Sequence, residues 1–305
     1  MSIYTDLAME LREMNPKLGG IEEKDENDGE IAIKRINILS DEASAKIGKA
    51  KGRYISLDAP DLVMRPLDLF EHMSACLKKE LNALIGRDAS ECTVLVVGLG
   101  NHRVTPDSLG PEVVGRIHVT RHIKEYMPEA FEYPVASVCA IAPGVLGLTG
   151  VETMDVVKGV VERTKPDIII AIDSLASRRA ARISTTIQLS DAGISPGSGV
   201  GNKRADLSKE SLGVPVIAIG VPLVVYASTI SQDTIGLIAD ETGLHNDEEH
   251  LKELAEQVIS KHMGEMIVTP KDIDAIVTDM AGIVSDAINS ALFGERLSDV
   301  RNLIA

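Results

Sequence analysis

Tryptophan is absent, and only three Phe and five Tyr stand among the 305 residues. So few aromatics leave little on which nucleic-acid bases could stack. Positive charge is also in short supply: 31 Lys and Arg face 46 Asp and Glu, for a formal net charge of −15. A surface of that sign repels a phosphate backbone and attracts a basic protein, so direct nucleic-acid binding is not expected. Cys76, Cys92 and Cys139 lie far apart with no CxxC pair. That excludes a disulfide scaffold or a cysteine-based zinc site and suits a reducing cytoplasm. Apolar runs such as Asp167 to Ile172 fall well short of the roughly 20 residues that span a bilayer, and no membrane partner is expected. The opening MSIYTDLAMELREM has no cationic n-region and no apolar h-region, so secretion is not indicated.

What is present is ample for one large core or two smaller ones: 44% of residues are apolar and 25% charged. Glu22 to Glu30, EEKDENDGE, is almost wholly charge or Gly and reads as a solvated loop. Alternation in Ile31 to Leu39 fits a half-buried strand, with Arg53 to Asp58 as another. Phe70, Met73, Leu77, Leu81 and Leu84 recur at helical spacing up to Gly86. Beyond it come nearly continuous apolar runs, Thr93 to Leu99, Val135 to Ala142, Asp167 to Asp173 and Pro215 to Val221. Strands covered on both faces by helices look like this. Leu109, Val113 and Ile117 mark one intervening helix, and Met154, Val157 and Val161 another, closed by Lys165-Pro166. Two terminal helices follow, Leu251 to Met263 and Pro270 to Phe293, the second with Thr269 as cap and Pro270 at its first position. The predicted fold is α/β, a three-layer α/β/α sandwich with a largely parallel sheet, decorated at its N-terminus.

Two aspartates stand where open α/β sheets place their chemistry, just past the carboxyl ends of strands. Asp107 lies in the loop Val96 to Pro111, and Asp173 closes the run DIIIAID. Each is open to a second reading as a helix cap. A carboxylate pair can divide the work of base and acid. The strand–Gly98-x-Gly100 turn has no third glycine and its helix starts late, which disfavours a dinucleotide. Gly193 to Gly197 matches G-x-S-x-G, yet Pro196 follows Ser195 and has no N–H to offer an oxyanion. The Gly-rich stretch to Lys203 and Arg204 lacks the ending of a phosphate loop. His118 and His122 are spaced as ligands on one helix, but no third ligand is evident. Cys139 reads as core.

Several blocks together resemble one family, the spore germination protease of endospore-forming bacteria, an atypical aspartic endopeptidase. They are Thr5 to Glu10, Gly98 to Pro111, Ala142 to Thr153, Lys165 to Arg178, Thr185 to Arg204, Gly213 to Val225 and Met266 to Asp274. They span the chain in family order. The resemblance implies a phosphorylase/hydrolase-like fold related to hydrogenase maturation endopeptidases. It implies cleavage of small acid-soluble spore proteins during germination, in the cytoplasm of the forespore and spore core. The family's two essential aspartates fall on Asp107 and Asp173, thought to activate water without an acyl-enzyme, and no metal or cofactor is expected. It further implies a homotetramer made as a zymogen that removes its own N-terminus.

Tyr4 to Glu10 has the acidic-aliphatic-Ala-x-Glu look of the family's substrate site. The expected scission is between Asp6 and Leu7, leaving residues 1–6 as propeptide and 7–305 as the protease domain, with 7–90 as decoration and 91–305 as the α/β/α core. A helix start capped by Thr5 is the compatible alternative. The chain departs from the family pattern at Tyr226, where Asp is expected, and at Leu148, where a more polar residue is expected. The related hydrogenase maturation endopeptidase needs a histidine after the second Asp, and no histidine occurs between Asp173 and Thr242. A non-catalytic binding module would not need both Asp107 and Asp173.

Overall fold

A computed structural model describes residues 4–194, 206–243, 248–263 and 266–304. The strands are β1 (Ile21–Asp28), β2 (Ile31–Ile38), β3 (Gly52–Asp58), β4 (Thr93–Gly98), β5 (Ser137–Ile141), β6 (Ile168–Ser177), β7 (Thr186–Ser190), β8 (Val216–Tyr226) and β9 (Ile267–Val268). The helices of the first half are α1 (Ala8–Met14), α2 (Asp41–Ile47), α3 (Leu67–Ile85), α4 (Leu109–Val114), α5 (Arg121–Tyr126), α6 (Leu146–Thr149) and α7 (Thr153–Thr164). Those of the second are α8 (Lys209–Leu212), α9 (Ala227–Thr242), α10 (Glu248–Met263), α11 (Ile273–Phe293) and α12 (Leu297–Ile304).

The strands form one sheet in the order β1-β2-β3-β7-β8-β6-β4-β5, with β9 added against β8. Pairing is parallel across β8, β6, β4 and β5 and antiparallel elsewhere. The parallel half is the expected α/β/α sandwich. The antiparallel wing is built mostly from the first 60 residues and joins the same sheet through β3 and β7.

Strand alternation sorts the side chains into two layers. Ile170, Ile172, Ile217, Ile219, Ile187 and Leu189 face α3, α4 and α11 in the larger core. On the opposite face Ile169, Ala171 and Val216 lie under Val157 and Val161 of α7. Farther along that face Leu175 and Tyr54 pack with Leu7, Ala8 and Met9. Full burial of such side chains contributes about 1.5–3 kcal/mol each, and both faces of the parallel strands are covered in this way. By length and hydropathy α11 with α12 could span a bilayer, but Val277, Met280, Val284 and Ile288 are spent on the core.

Several expectations change. Glu22 to Asp28 is no loop but β1, antiparallel to β2 as an edge strand. Its charges are solvated or paired: Arg35 binds Glu26 at 2.5 Å, and Lys34 lies within 4 Å of both Glu23 and Asp25. Charge is a common way to protect a sheet edge, which is why composition misled here. The helix from Leu109 stops at Val114 with Gly115, so His118 lies outside it and His122 belongs to α5. The two histidines share no helix. Helix α11 begins at Ile273, not Pro270, and the Thr269 hydroxyl donates to the Leu223 carbonyl instead of capping.

Candidate active site

β4 ends at Gly98, and the chain doubles back on itself before α4. The Leu99 amide donates to the Ile172 carbonyl of β6 at 2.8 Å, tying the loop to its neighbour. The Asn101 amide then meets both the Asp107 carbonyl and Asp107 Oδ2, each at 2.9 Å. Asp107 closes a 3-10 turn, Thr105–Asp107, which packs against β6, β8 and α11. Its carboxylate is turned into its own loop. Ser108, not Asp107, holds the cap position of α4, so the cap reading of Asp107 fails.

The glycines explain how so tight a loop is possible. Gly100 sits at φ +110 against the Asp107 carbonyl, and a Cβ on Gly98 or Gly110 would overlap backbone of the other. These glycines serve close backbone approach, not a pyrophosphate. Gly110→Ala is therefore expected to push the Asp107 turn off β4. We expect about 1–3 kcal/mol of lost stability together with a fall in peptide cleavage, read by thermal unfolding and initial rates. Unchanged rates and melting temperature would contradict this packing.

Asp173 differs in setting from the expectation. It does not close its strand, because β6 runs on to Ser177, so a helix-cap role is excluded. It nonetheless lies at the rim, since β4 ends with Gly98 opposite Ile172. On its other side Asp173 pairs with Gly220 of β8. The side chain is 6% exposed, and Oδ1 accepts the Ser174 amide at 2.9 Å. Following Ile169 and Ala171 by alternation, Asp173 faces the α7 layer. The fold thus brings the Asp107 turn against the strand that carries Asp173.

The N-terminal segment is docked on that same face. Asp6 pairs with Ala176 of β6 twice: its amide donates to the Ala176 carbonyl, and its Oδ2 accepts the Ala176 amide, both at 2.8 Å. Gln188 of β7 spans the following bond, donating from Nε2 to the Asp6 carbonyl at 3.1 Å and accepting the Ala8 amide at 2.7 Å. Leu7 is fully buried. Glu10, 1% exposed, accepts the Arg178 and Arg179 amides at 2.7 and 3.0 Å and also the Thr5 hydroxyl. Arg182 Nε lies 3.6 Å from the same carboxylate. Helix α1 starts at Ala8 with Leu7 in the cap position, so Thr5 is not the cap; its Oγ1 accepts the Leu7 amide instead. The Tyr4 ring stacks on Tyr226 with centroids 5.0 Å apart, which gives the departure at Tyr226 a local partner. Along β6, Asp6 meets Ala176 three residues past Asp173, about 10 Å of strand.

Ser195, Pro196, Lys203 and Arg204 lie outside the described residues. Among the described residues one trio of metal-type donors is close together, Asp28, His72 and Cys76. It sits where β1 meets α3, not at the carboxyl ends of β4 and β6, and a 3.1 Å Asp28–His72 pair already occupies it. Burial, reinforced by Asp28, pushes the Cys76 thiol up to about 11, and burial also raises Cys92 and Cys139. At pH 8 the Cys76 thiolate is then about one part in a thousand. Brief iodoacetamide treatment at pH 8 is expected to leave cleavage unchanged and to label all three cysteines only after denaturation. Inactivation of the folded chain would overturn the assignment of these thiols to the core.

Comparison with known proteins shows the family. The model of a peptidase family described as germination protease matches residues 2–250. The chain belongs to the germination protease family. The germination protease of Caldanaerobacter subterraneus is 46% identical over 307 residues, covering 96% of this chain and 94% of the relative. That of Clostridium tetani is 43% identical over 310 residues, covering 96% of both. The Bacillus subtilis germination protease is 39% identical over 346 residues, covering 95% and 93%. A solved [NiFe] hydrogenase maturation protease from Thermococcus kodakarensis matches 54% of this chain and 89% of its own, with TM-score 0.29 and 18% identity. The protease family so defined has an α/β fold here, and its work is peptide-bond hydrolysis in germination.

Sequence reasoning singled out Asp107, Asp173 and the Asp6–Leu7 bond, and missed Gln188 and Arg182. Gln188 sits in a strand too short and half-polar to stand out. Only its alternation with Ile187 and Leu189 marked the face on which it lies.

Proposed function

We propose that this germination protease is an aspartate-dependent endopeptidase acting on small acid-soluble spore proteins, made as a zymogen that cuts its own chain between Asp6 and Leu7. Residues 1–6 are the propeptide and 7–305 the protease, which works as a homotetramer in the spore core. The observation that carries this reading is the docking of Asp6 to Glu10 on the face of β6 that bears Asp173. An acidic-aliphatic segment lies along the strand of a candidate catalytic carboxylate as a substrate would.

Asp107 and Asp173 divide the chemistry. One, ionised, takes a proton from water as the water oxygen bonds to the peptide carbonyl carbon. The other, protonated, gives its proton to the departing nitrogen as the C–N bond breaks. The products are a carboxylate and an amine, with no covalent enzyme intermediate. The roll of roles between the two is interchangeable in this scheme.

The test incubates the protein with a purified small acid-soluble spore protein, with and without a chelator, and identifies fragments by mass spectrometry. Cutting between an acidic and an aliphatic residue, unaffected by chelator, is expected. Loss of cleavage with chelator would return the reading to a metal-dependent protease.

A further inference from the structure

Gln188, Gly220 and Asp173 lie side by side across three strands: β7 pairs Gln188 with Gly220, and β8 pairs Gly220 with Asp173. Directly paired residues point to one face of a sheet. Here it is the face away from the large core, since Ile187, Leu189, Ile219 and Ile172 all point into that core. Two strand spacings put Gln188 and Asp173 about 10 Å apart at their backbones. The residue between them has no side chain, and a Cβ on Gly220 would meet Leu175 at 2.5 Å. The Leu175 side chain fills the space over Gly220, with the Gln188 amide on one side of it and the Asp173 carboxylate on the other. A cavity of about 440 Å³, lined by Asp6, Gln188, Gly220, Leu175, Tyr54 and Ser190, opens beside it.

The Gln188 amide is aimed. Its oxygen accepts the Ala8 amide at 2.7 Å and its nitrogen donates to the Asp6 carbonyl at 3.1 Å. Those two bonds fix which end of the amide is the donor. The carbonyl it touches belongs to the Asp6–Leu7 bond, and Gln188 is 7% exposed, so the donor acts where water is scarce.

We propose that Gln188 is a catalytic residue of the peptidase reaction, the donor that stabilises negative charge on the scissile carbonyl oxygen. This rests on the reading that Asp6–Leu7 is cut as a substrate and that Asp173 acts on it. When the water oxygen bonds to the carbonyl carbon, the C=O electron pair moves onto oxygen, and Gln188 Nε2–H binds that charge. The pair returns as the C–N bond breaks and the nitrogen takes its proton from the acid. A donor held in place beforehand strengthens as charge grows, and loss of one such donor costs about 10²–10³ in kcat. The Ala8 contact does a different job: it clamps the residue after the cut and holds the bond in register.

Two variants separate the two jobs. Gln188→Met removes donor and acceptor, while Gln188→Glu keeps an acceptor for the residue after the cut and removes the donor. Each is made in the full chain, checked by thermal unfolding, and assayed on a synthetic peptide with the sequence of residues 1–14. Both variants are expected to lose about 10²–10³ in kcat, with KM within about threefold of wild type in Gln188→Glu and raised beyond that in Gln188→Met, which also loses the clamp. A raised KM with kcat intact would make Gln188 a clamp and overturn the proposal, as would full kcat in Gln188→Glu. If Gln188→Met fails to fold, Gln188→Glu alone decides. Asp173→Asn assayed in parallel keeps the failures apart. Cleavage surviving there sinks the aspartate reading, whereas cleavage lost there but normal in both Gln188 variants sinks only this inference.

Discussion

Replacing Asp173 with Asn lowers the rate of peptide cleavage by about 10²–10⁴-fold, the range that one general acid or base supplies, and leaves the fold intact. The carboxylate is 6% exposed and lies on the face where the N-terminal segment docks. Asn is close to isosteric and keeps an oxygen for the Ser174 amide, which Asp173 now binds at 2.9 Å. Packing around β6 should therefore survive, and the melting temperature should move by only a few degrees. What Asn lacks is the ability to take up or release a proton. Asp107→Asn is expected to match it, since its oxygen can still accept the Asn101 amide. Initial rates with a defined peptide, paired with thermal unfolding of each variant, measure both halves. A rate above a tenth of wild type in either variant would remove that residue from the chemistry.

Glu10→Ala should release the N-terminal segment and destabilise the chain by about 2–6 kcal/mol, the cost of leaving two backbone amides unpaired. Glu10 is 1% exposed, and its two oxygens accept the Arg178 and Arg179 amides. Truncation leaves those amides without their partner, at up to about 1–3 kcal/mol each. Arg182, 8% exposed, loses one of its two carboxylates and retains Glu13 at 2.7 Å. The damage is local to the docked segment before it is global. Limited proteolysis should then cut near residue 10 far faster than in wild type, and urea unfolding should show the lost stability. Glu10→Gln, which keeps an acceptor, should fall between. An unaltered digestion pattern in Glu10→Ala would mean that the socket does not hold the segment.

The parallel half of the sheet was legible because strands buried on both faces must be almost wholly apolar, as in Ile168 to Ile172 and Ile217 to Ile219. The same rule concealed β1. An edge strand can carry EEKDEND, because water and Lys34 or Arg35 across the strand satisfy its charges. Strand ends were harder to read. Asp173 looks terminal because apolar residues stop there, yet hydrogen bonding with β8 carries β6 on to Ser177. The start of α11 was misplaced for a similar reason: Pro270 suits a first helical position, but the Thr269 hydroxyl is engaged by Leu223.

In the candidate site, motif blocks pointed to Asp107, Asp173 and Asp6–Leu7, and the fold set the Asp107 turn and the N-terminal segment against the strand of Asp173. The contribution of Gln188 depends on the registers of β6, β7 and β8, which no local pattern encodes. It emerges only when three strands distant in sequence are laid edge to edge.

The most direct measurement of the central claim follows the intact mass of the purified full chain through time at several protein concentrations, beside Asp107→Asn and Asp173→Asn. The account predicts loss of residues 1–6 as a single step, with a rate constant independent of concentration and no loss in either variant. A new terminus elsewhere, or processing that continues in both variants, would contradict it.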